Sequence, residues 1–221
     1  MKEFFLIRHG RQCSDLCNVN VELAAEGREQ AELLGQRLET YGLEKLYSST
    51  LIRARETAEI INRHLGLPYE ILSGMEEIDF GELTGKTAEE IEAVYGTFRR
   101  ERSLHREDAP YPGGGECGGD VVRRALPQIM KLCGRVEQRI GIVTHGGVIR
   151  SLCAEVLHSG QQHKLKYGID LENTSLTELL YDEKRGFFFL ERFNDFAHLE
   201  GREYLLRKGW VTSLERKDSG E

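Results

Sequence analysis

Apolar residues fall into two kinds of pattern along the chain. Continuous short runs, Phe4-Phe5-Leu6-Ile7 and Ile140-Gly141-Ile142-Val143, read as strands buried on both faces. Longer stretches with apolar residues three and four apart read as helices packed by one side. Such spacing predicts a helix from about Ala25 to Thr40, with Ala31, Leu34 and Leu38 on one face and a poor N-cap in Ala24. A strand over Lys45–Ser49, a helix from Leu51 to Leu65 ended by Gly66 and Pro68, and a short strand over Tyr69–Leu72 follow. Thr87 with Glu90 marks a capping box, and a helix is predicted through Tyr95. Residues 96–119, with Pro110, Pro112 and Gly113-Gly114-Gly115, read as an irregular cap or insertion. The helix predicted from Asp120 to Leu132 buries Val121, Val122, Ala125, Ile129 and Leu132, and Pro127 predicts a kink or a break in it. After the second apolar run come a helix over Val148–Leu157 and an antiparallel hairpin, Leu176–Tyr181 with Phe187–Phe193.

This alternation predicts one domain over residues 1–221: a three-layer α/β/α fold with a largely parallel central sheet and an antiparallel hairpin near the C-terminus. Residues 202–221 form a C-terminal extension in which Tyr204, Leu205, Leu206, Trp210 and Val211 cover either their own domain or that of a homodimer partner.

Composition narrows the class. With 39% hydrophobic and 30% charged residues, the 221-residue chain has the make-up of a globular protein. No apolar run approaches the roughly 20 residues that span a bilayer. Met1-Lys2-Glu3 leads into a strand rather than a signal peptide, so no membrane partner and a cytoplasmic location are expected. A net charge of −7 argues against nucleic acid as a partner, while leaving room for a local cationic pocket that takes a small anion. The cysteines (Cys13, Cys17, Cys117, Cys133, Cys153) are odd in number and lack zinc-site spacing, which predicts free thiols and no metal site.

Candidate chemistry sits where the two apolar runs stop. The first ends in Arg8-His9-Gly10 and the second in His145-Gly146-Gly147. Carboxyl ends of parallel strands are where open α/β sheets place ligands. An arginine beside a histidine suits an anion that is held while an imidazole attacks it or exchanges a proton with it.

Four segments occur in order: Arg8-His9-Gly10; Ser49-x-Leu51-x-Arg53-Ala54-x-x-Thr57-Ala58; Glu77-Ile78-Asp79-x-Gly81; and Thr144-His145-Gly146-Gly147. Together they resemble the histidine phosphatase superfamily, also called phosphoglycerate mutase-like, over about residues 3 to 200. The resemblance implies a small phosphorylated substrate and no cofactor. It makes His9 a nucleophile that forms a phosphohistidine, Arg8 and Arg53 the clamps on the phosphoryl oxygens, and His145, followed by Gly146, the second pocket histidine. The physics fits, because a transferred phosphoryl group spreads charge over its equatorial oxygens and calls for several fixed cations or donors. The leaving alkoxide also needs a proton. Glu76 and Glu77 are adjacent candidates with Glu82 a third, and alignment on Glu-Ile-x-x-Gly selects Glu77.

Departures from the family pattern lie around the pocket. Arg11-Gln12 replaces Glu-Thr, and the loop that follows is shorter. Asn18 is then a phosphate contact and Arg11 a cation at the mouth, or both are loop residues facing solvent. Phe98-Arg99-Arg100 is similar to a segment by which mutases hold their substrate's other anionic group, making Arg99 and Arg100 either substrate rim or a solvated helix face. Pro112-Gly113-Gly114-Gly115-Glu116 instead resembles the small broad-specificity and α-ribazole-phosphate phosphatases. The expected function is a metal-independent phosphomonoester hydrolase working through His9 and Glu77. Alternatives are a cofactor-dependent phosphoglycerate-type mutase and a phosphate-binding regulatory protein with little turnover.

Overall fold

In the computed structural model, which describes residues 1–207, the chain builds one six-stranded sheet of order β3-β2-β4-β1-β5-β6. Its strands are β1 (Lys2–Arg8), β2 (Lys45–Ser48), β3 (Tyr69–Ile71), β4 (Arg139–Thr144), β5 (Leu176–Asp182) and β6 (Phe187–Asp195). The helices are α1 (Ala25–Leu38), α2 (Ile52–Leu65), α3 (Ala88–Ser103), α4 (Gly118–Cys133) and α5 (Gly146–Val156). Strands β1 to β4 run parallel, and the C-terminal hairpin adds β5 and β6 antiparallel beside β1. The expected mixed α/β fold is therefore what the chain adopts.

Alternation along β1 explains the layers, since successive strand side chains point to opposite faces. Phe4 and Leu6 pack with Val121, Ala125 and Ile129 of α4 and with Val148, Ile149 and Leu152 of α5. Phe5 and Ile7 pack on the other face with Leu34 and Leu38 of α1 and Ala54, Ala58 and Ile61 of α2. Buried from both sides, β1 and β4 can be apolar through their middles, at 4–7 and 140–143. The chain reverses its winding between these two strands, and such switch points open a crevice at the carboxyl ends. Register is also fixed here: Arg8 lies opposite Thr144, and the His9 N–H donates to the Thr144 carbonyl at 3.0 Å.

Two expectations change. Helix α3 does not stop near Tyr95 but continues through buried Gly96 to Ser103. Its second half is held from outside, with the Phe98 ring 5.7 Å from that of Tyr111 and the Arg102 guanidinium 4.3 Å from the Tyr111 centroid. Helix α4 stays one helix across Pro127. Pro127 and Arg123, whose carbonyl loses its helical partner, are both exposed, so water can take that bond. Of the C-terminal extension, residues 203–207 form a short turn and strap. Trp210 and Val211 lie outside the described residues. The Thr87–Glu90 capping box is present, and Ala24 starts α1 without a side-chain cap. Among the described residues no helix is long and apolar enough to cross a membrane.

Candidate active site

A cavity of about 510 Å³ opens at the carboxyl end of β1, with Arg8, His9, Asn18, Arg53, Glu77 and Cys17 in its wall. The turn after β1 is possible because glycine faces glycine. A Cβ on Gly10 would lie 2.5 Å from the Gly27 carbonyl oxygen, and one on Gly27 would lie 2.1 Å from that of Arg11. Thr57 of α2 fastens the turn, accepting from the Gly10 N–H at 3.0 Å and donating to the Arg53 carbonyl at 2.7 Å.

Buried His9 is held by two opposite contacts. Its Nδ1 lies 2.7 Å from the Gly10 carbonyl oxygen, which only accepts, so Nδ1 carries the proton. Arg53 donates from Nε to His9 Nε2 at 3.2 Å, which requires a lone pair there. Both contacts call for the same tautomer. Burial, then the nearby Arg53 and Arg8 charges, push the His9 pKa well below the ordinary imidazole value. The ring is thus neutral at physiological pH, with Nε2 basic.

Arg53 is 2% exposed, and its remaining donors go to the Val19 carbonyl at 3.0 Å and Asn18 Oδ1 at 2.9 Å. Asn18 sits at φ +48°, a left-handed conformation that asparagine tolerates, and this aims its amide at both Arg53 and the Ile78 carbonyl. Arg8 donates from Nη1 to the Leu171 carbonyl, while its buried Nε has no partner among the described residues. Burial first, then Arg207, lower its pKa to about 9, which still leaves it charged at neutral pH.

His145, fully buried, stands at the end of β4 with its ring 5.0 Å from that of His9. Its Nε2 lies 2.7 Å from Ser49 Oγ, and its Nδ1 is unpartnered among the described residues. Burial and the His9, Arg53 and Arg8 charges hold it, too, well below the ordinary value.

Glu77 reaches the same crevice from the loop before α3. Its Oε1 accepts from the N–H groups of Ile78 and Gly147, each at 2.9 Å, and so ties the carboxylate to the first turn of α5. Only glycine leaves room at position 147, where a Cβ would come within 2.4 Å of that oxygen. Glu76 instead accepts from Thr50 Oγ1 and the Gly74 N–H, and Glu82 from the Tyr95 hydroxyl. Cys17 shares the wall, but burial and the Glu77 charge raise its thiol pKa to about 11, so it does not compete as a thiolate.

Arg8, His9, Arg53, Glu77, His145 and Asn18 are therefore gathered at one crevice, and Gly146 lies against Arg8. Arg11 lines the cavity but spends its guanidinium elsewhere, with Nη2 donating to the carbonyls of Leu205 and Leu206 at 2.8 and 2.9 Å. Arg99 and Arg100 are not in the wall; both pair with Glu92 on their own helix, at 3.0 and 3.5 Å. Of the two readings of Arg99 and Arg100, substrate rim or solvated helix face, this pairing agrees with the second; Arg102 of the same helix lines an adjoining cavity. Sequence reasoning did not single out Asn173, whose Nδ2 donates to the His9 carbonyl at 2.9 Å, or Arg207 in the strap. Neither carries a local signal, because only the tertiary fold brings residues 173 and 207 to residue 9. Among the described residues no group of three His, Cys, Asp or Glu side chains is placed to hold a metal ion.

A crevice at a winding switch point, with two buried neutral histidines, fixed guanidinium groups and one tethered carboxylate, defines an α/β enzyme built to hold an anion. The family model of the histidine phosphatase superfamily (branch 1) matches residues 4–195, and the chain belongs to that superfamily. It is 30% identical over 213 residues to phosphoglycerate mutase-like protein 4 of Arabidopsis thaliana, covering 92% of this chain and 89% of that protein. Bacillus stearothermophilus YhfR superposes with a TM-score of 0.78 at 31% identity, over 90% of this chain and 100% of its own. A mycobacterial glucosyl-3-phosphoglycerate phosphatase superposes at 0.79 and 25% identity, over 88% of this chain and 99% of its own. By family and by these phosphatase neighbours, the protein is an enzyme of the phosphatase type.

Proposed function

We propose that this chain hydrolyses phosphomonoesters of small metabolites through a phosphohistidine on His9, without a metal ion. The observation that carries this reading is the His9 tautomer. Gly10 holds the proton on Nδ1, and the Nε2 lone pair points into a crevice lined by Arg8 and Arg53.

In the first step His9 Nε2 bonds to phosphorus as the ester P–O bond breaks, and the departing alkoxide takes a proton from Glu77. In the second, water attacks the phosphohistidine and gives a proton to Glu77; the P–N bond breaks, orthophosphate leaves, and both groups are restored. Arg53 exchanges its bond to Nε2 for one to a phosphoryl oxygen. The unpartnered Arg8 Nε is a donor for a second oxygen. Ser49 Oγ can donate to His145 Nε2, which leaves the proton on Nδ1 of that ring as a third donor. Such donors, fixed before substrate arrives, stabilise developing charge without reorganisation. Glu77 is held through one oxygen by two backbone N–H groups, and its other oxygen is available to the leaving group.

Phosphatase names among the relatives, including PhoE of Bacillus subtilis at 27% identity, support hydrolysis as the outcome. Relatives named as mutases, such as the Salmonella protein GpmB at 27% identity, favour a second reading in which a substrate hydroxyl accepts the phosphoryl group. The test is turnover of an aryl phosphate and an alkyl phosphate, with EDTA present throughout. Wild type is expected to be active and His9→Ala inactive with an unchanged circular dichroism spectrum. Retained activity in His9→Ala, or loss of wild-type activity on chelation, refutes the proposal. Isomerisation of a monophosphoglycerate in the presence of bisphosphoglycerate, without phosphate release, establishes the mutase instead.

A further inference from the structure

Residues 72–80, which carry Glu77, belong to no strand or helix. A side chain in such a segment is placed only as well as the backbone beneath it, so the partners of that backbone matter. Thr144, the last residue of β4, donates from Oγ1 to the Met75 carbonyl at 2.7 Å. The carbonyls around it go to one side chain. Arg124 of α4 donates from Nη1 to the carbonyls of Gly74 and Glu76 at 2.9 and 2.8 Å, and from Nη2 to that of Glu77 at 3.1 Å. Its Nε and Nη2 also donate to the two carboxylate oxygens of Glu116, each at 2.8 Å. All five donors of the guanidinium are thereby spent, three of them on the loop that bears the proposed acid.

Glu116 holds the far side of the same loop. Its Oε2 accepts from the Asp79 N–H at 2.9 Å, and its own N–H donates to the Asp79 carbonyl at 2.9 Å. A little further on, the Glu82 N–H donates to the Pro112 carbonyl at 2.9 Å. Gly115 lets the two segments lie this close, because a Cβ there would come within 2.7 Å of the Asp79 carbonyl oxygen. Pro112–Glu116, which along the chain only marked a likeness to small phosphatases, is thus the seat on which the loop rests. Glu77 sits between two fixed points, residues 74–77 tied to α4 and residues 79–82 tied to this seat. Neither Arg124 nor Glu116 lines the phosphate cavity, so whatever they do for the reaction they do through the loop. Their pairing is the two-pronged, charge-assisted kind, which fixes direction as well as distance.

We propose that Arg124 and Glu116 are positioning residues for the proton transfer: the pair fixes the backbone on both sides of Glu77 and so sets where its free carboxylate oxygen meets the leaving group. The inference rests on Glu77 as the acid. Arg124→Lys isolates the geometry from the charge. An ammonium keeps the positive charge but has three donors on one atom, too few and too close together to span two carboxylate oxygens and three carbonyls. With that clamp gone the loop shifts, and a displacement of about 1 Å at a reacting group costs on the order of 100-fold in rate. The loss falls where the leaving group needs a proton, and a substrate that leaves without one escapes it.

The test compares kcat/KM for an alkyl phosphate and for nitrophenyl phosphate in wild type, Arg124→Lys, Glu116→Gln, Glu77→Gln and the double variant Arg124→Lys/Glu77→Gln. In Arg124→Lys the alkyl rate is expected to fall on the order of 100-fold and the nitrophenyl rate far less. Glu116→Gln, which keeps the shape and one acceptor oxygen, should show the same selectivity with a smaller loss. In the Glu77→Gln background, Arg124→Lys should cost the alkyl substrate nothing more, since no acid remains to be placed. A purely structural pair behaves differently: equal losses on both substrates, or an Arg124→Lys loss that persists undiminished in the double variant, overturn the proposal. Should Arg124→Lys fail to fold, Glu116→Gln decides by the same comparison, selective loss supporting the role and unselective loss or none overturning it. If Glu77→Gln itself depresses both substrates equally, the acid assignment falls and the positioning role with it. A selective Glu77→Gln beside an unselective Arg124→Lys removes the positioning role alone.

Discussion

The tether between Glu77 and the first turn of α5 makes Gly147→Ala a sharp probe of the proposed acid. A methyl group there would lie 2.4 Å from Glu77 Oε1 and 2.8 Å from Ile78 Cγ2. Ordinary contact needs about 3.5 Å, so something must retreat by about 1 Å. Ile78, 3% exposed in the core, can yield only with a small shift of the α5 backbone, whereas the carboxylate is free to swing and moves furthest. Displacing a catalytic group by about 1 Å costs on the order of 100-fold in rate. The loss should depend on the leaving group. A nitrophenolate departs readily without a proton, whereas an alkoxide does not, and general acid catalysis is worth roughly 100- to 10,000-fold. We expect kcat/KM for an alkyl phosphate to fall about 100-fold in Gly147→Ala and that for nitrophenyl phosphate to fall far less, a pattern Glu77→Gln should reproduce. Crowding of the core edge should cost about 1–3 kcal/mol in stability, visible as a lower Tm. An equal loss on both substrates means general distortion of the pocket, and an unchanged alkyl rate means that Glu77 is not the acid; either refutes the reasoning.

Two more expectations concern the buried charges. His9, His145 and His198 are all held below the ordinary imidazole value by burial, His198 at about 4, so the unfolded chain binds more protons than the folded one once pH drops below about 6.5. Stability should then fall with falling pH, by up to about 1.4 kcal/mol per pH unit for each such group, from about 6.5 until its folded value is passed. His64, raised by Glu32, adds a contribution that is complete throughout that range, below about 6.5, and leaves the slope there alone. Denaturant titrations at pH 7, 6 and 5 in phosphate-free buffer check this, and a flat profile contradicts it. Arg53→Lys keeps a positive charge but cannot reach His9, Asn18 and Val19 together; kcat/KM for nitrophenyl phosphate should drop at least 100-fold, and near-wild-type activity would show that charge alone suffices.

Much of this site was legible along the chain because its parts end regular elements. His9 and His145 each follow an apolar run, and the parallel register that brings them together follows from two strands buried on both faces. Glu77 came from a short motif rather than from any pattern of burial. The rest depended on contacts between segments remote in sequence. Arg99, Arg100 and Arg102 look alike in the chain, and only the placement of Tyr111 decides which of them turns inward. Residues 96–119 read as irregular, yet α3 continues to Ser103, with Phe98 packed on the remote Tyr111. Arg11 reads as a cation for the pocket because the partners that claim it, the carbonyls near residue 205, cannot be seen from residue 11.

Strand order has a further consequence. The two histidines follow β1 and β4, which pair side by side in mid-sheet, where local opening is generally rarest. Arg102 rides on α3, whose only buried residue is Gly96, and Arg207 on a strap pinned by a few side chains. The inner wall of the crevice thus rests on the sheet, and its outer wall on more lightly packed segments. Warming or mild denaturant should loosen the outer wall before the inner one, an order that hydrogen exchange in α3 against β1 and β4 would reveal.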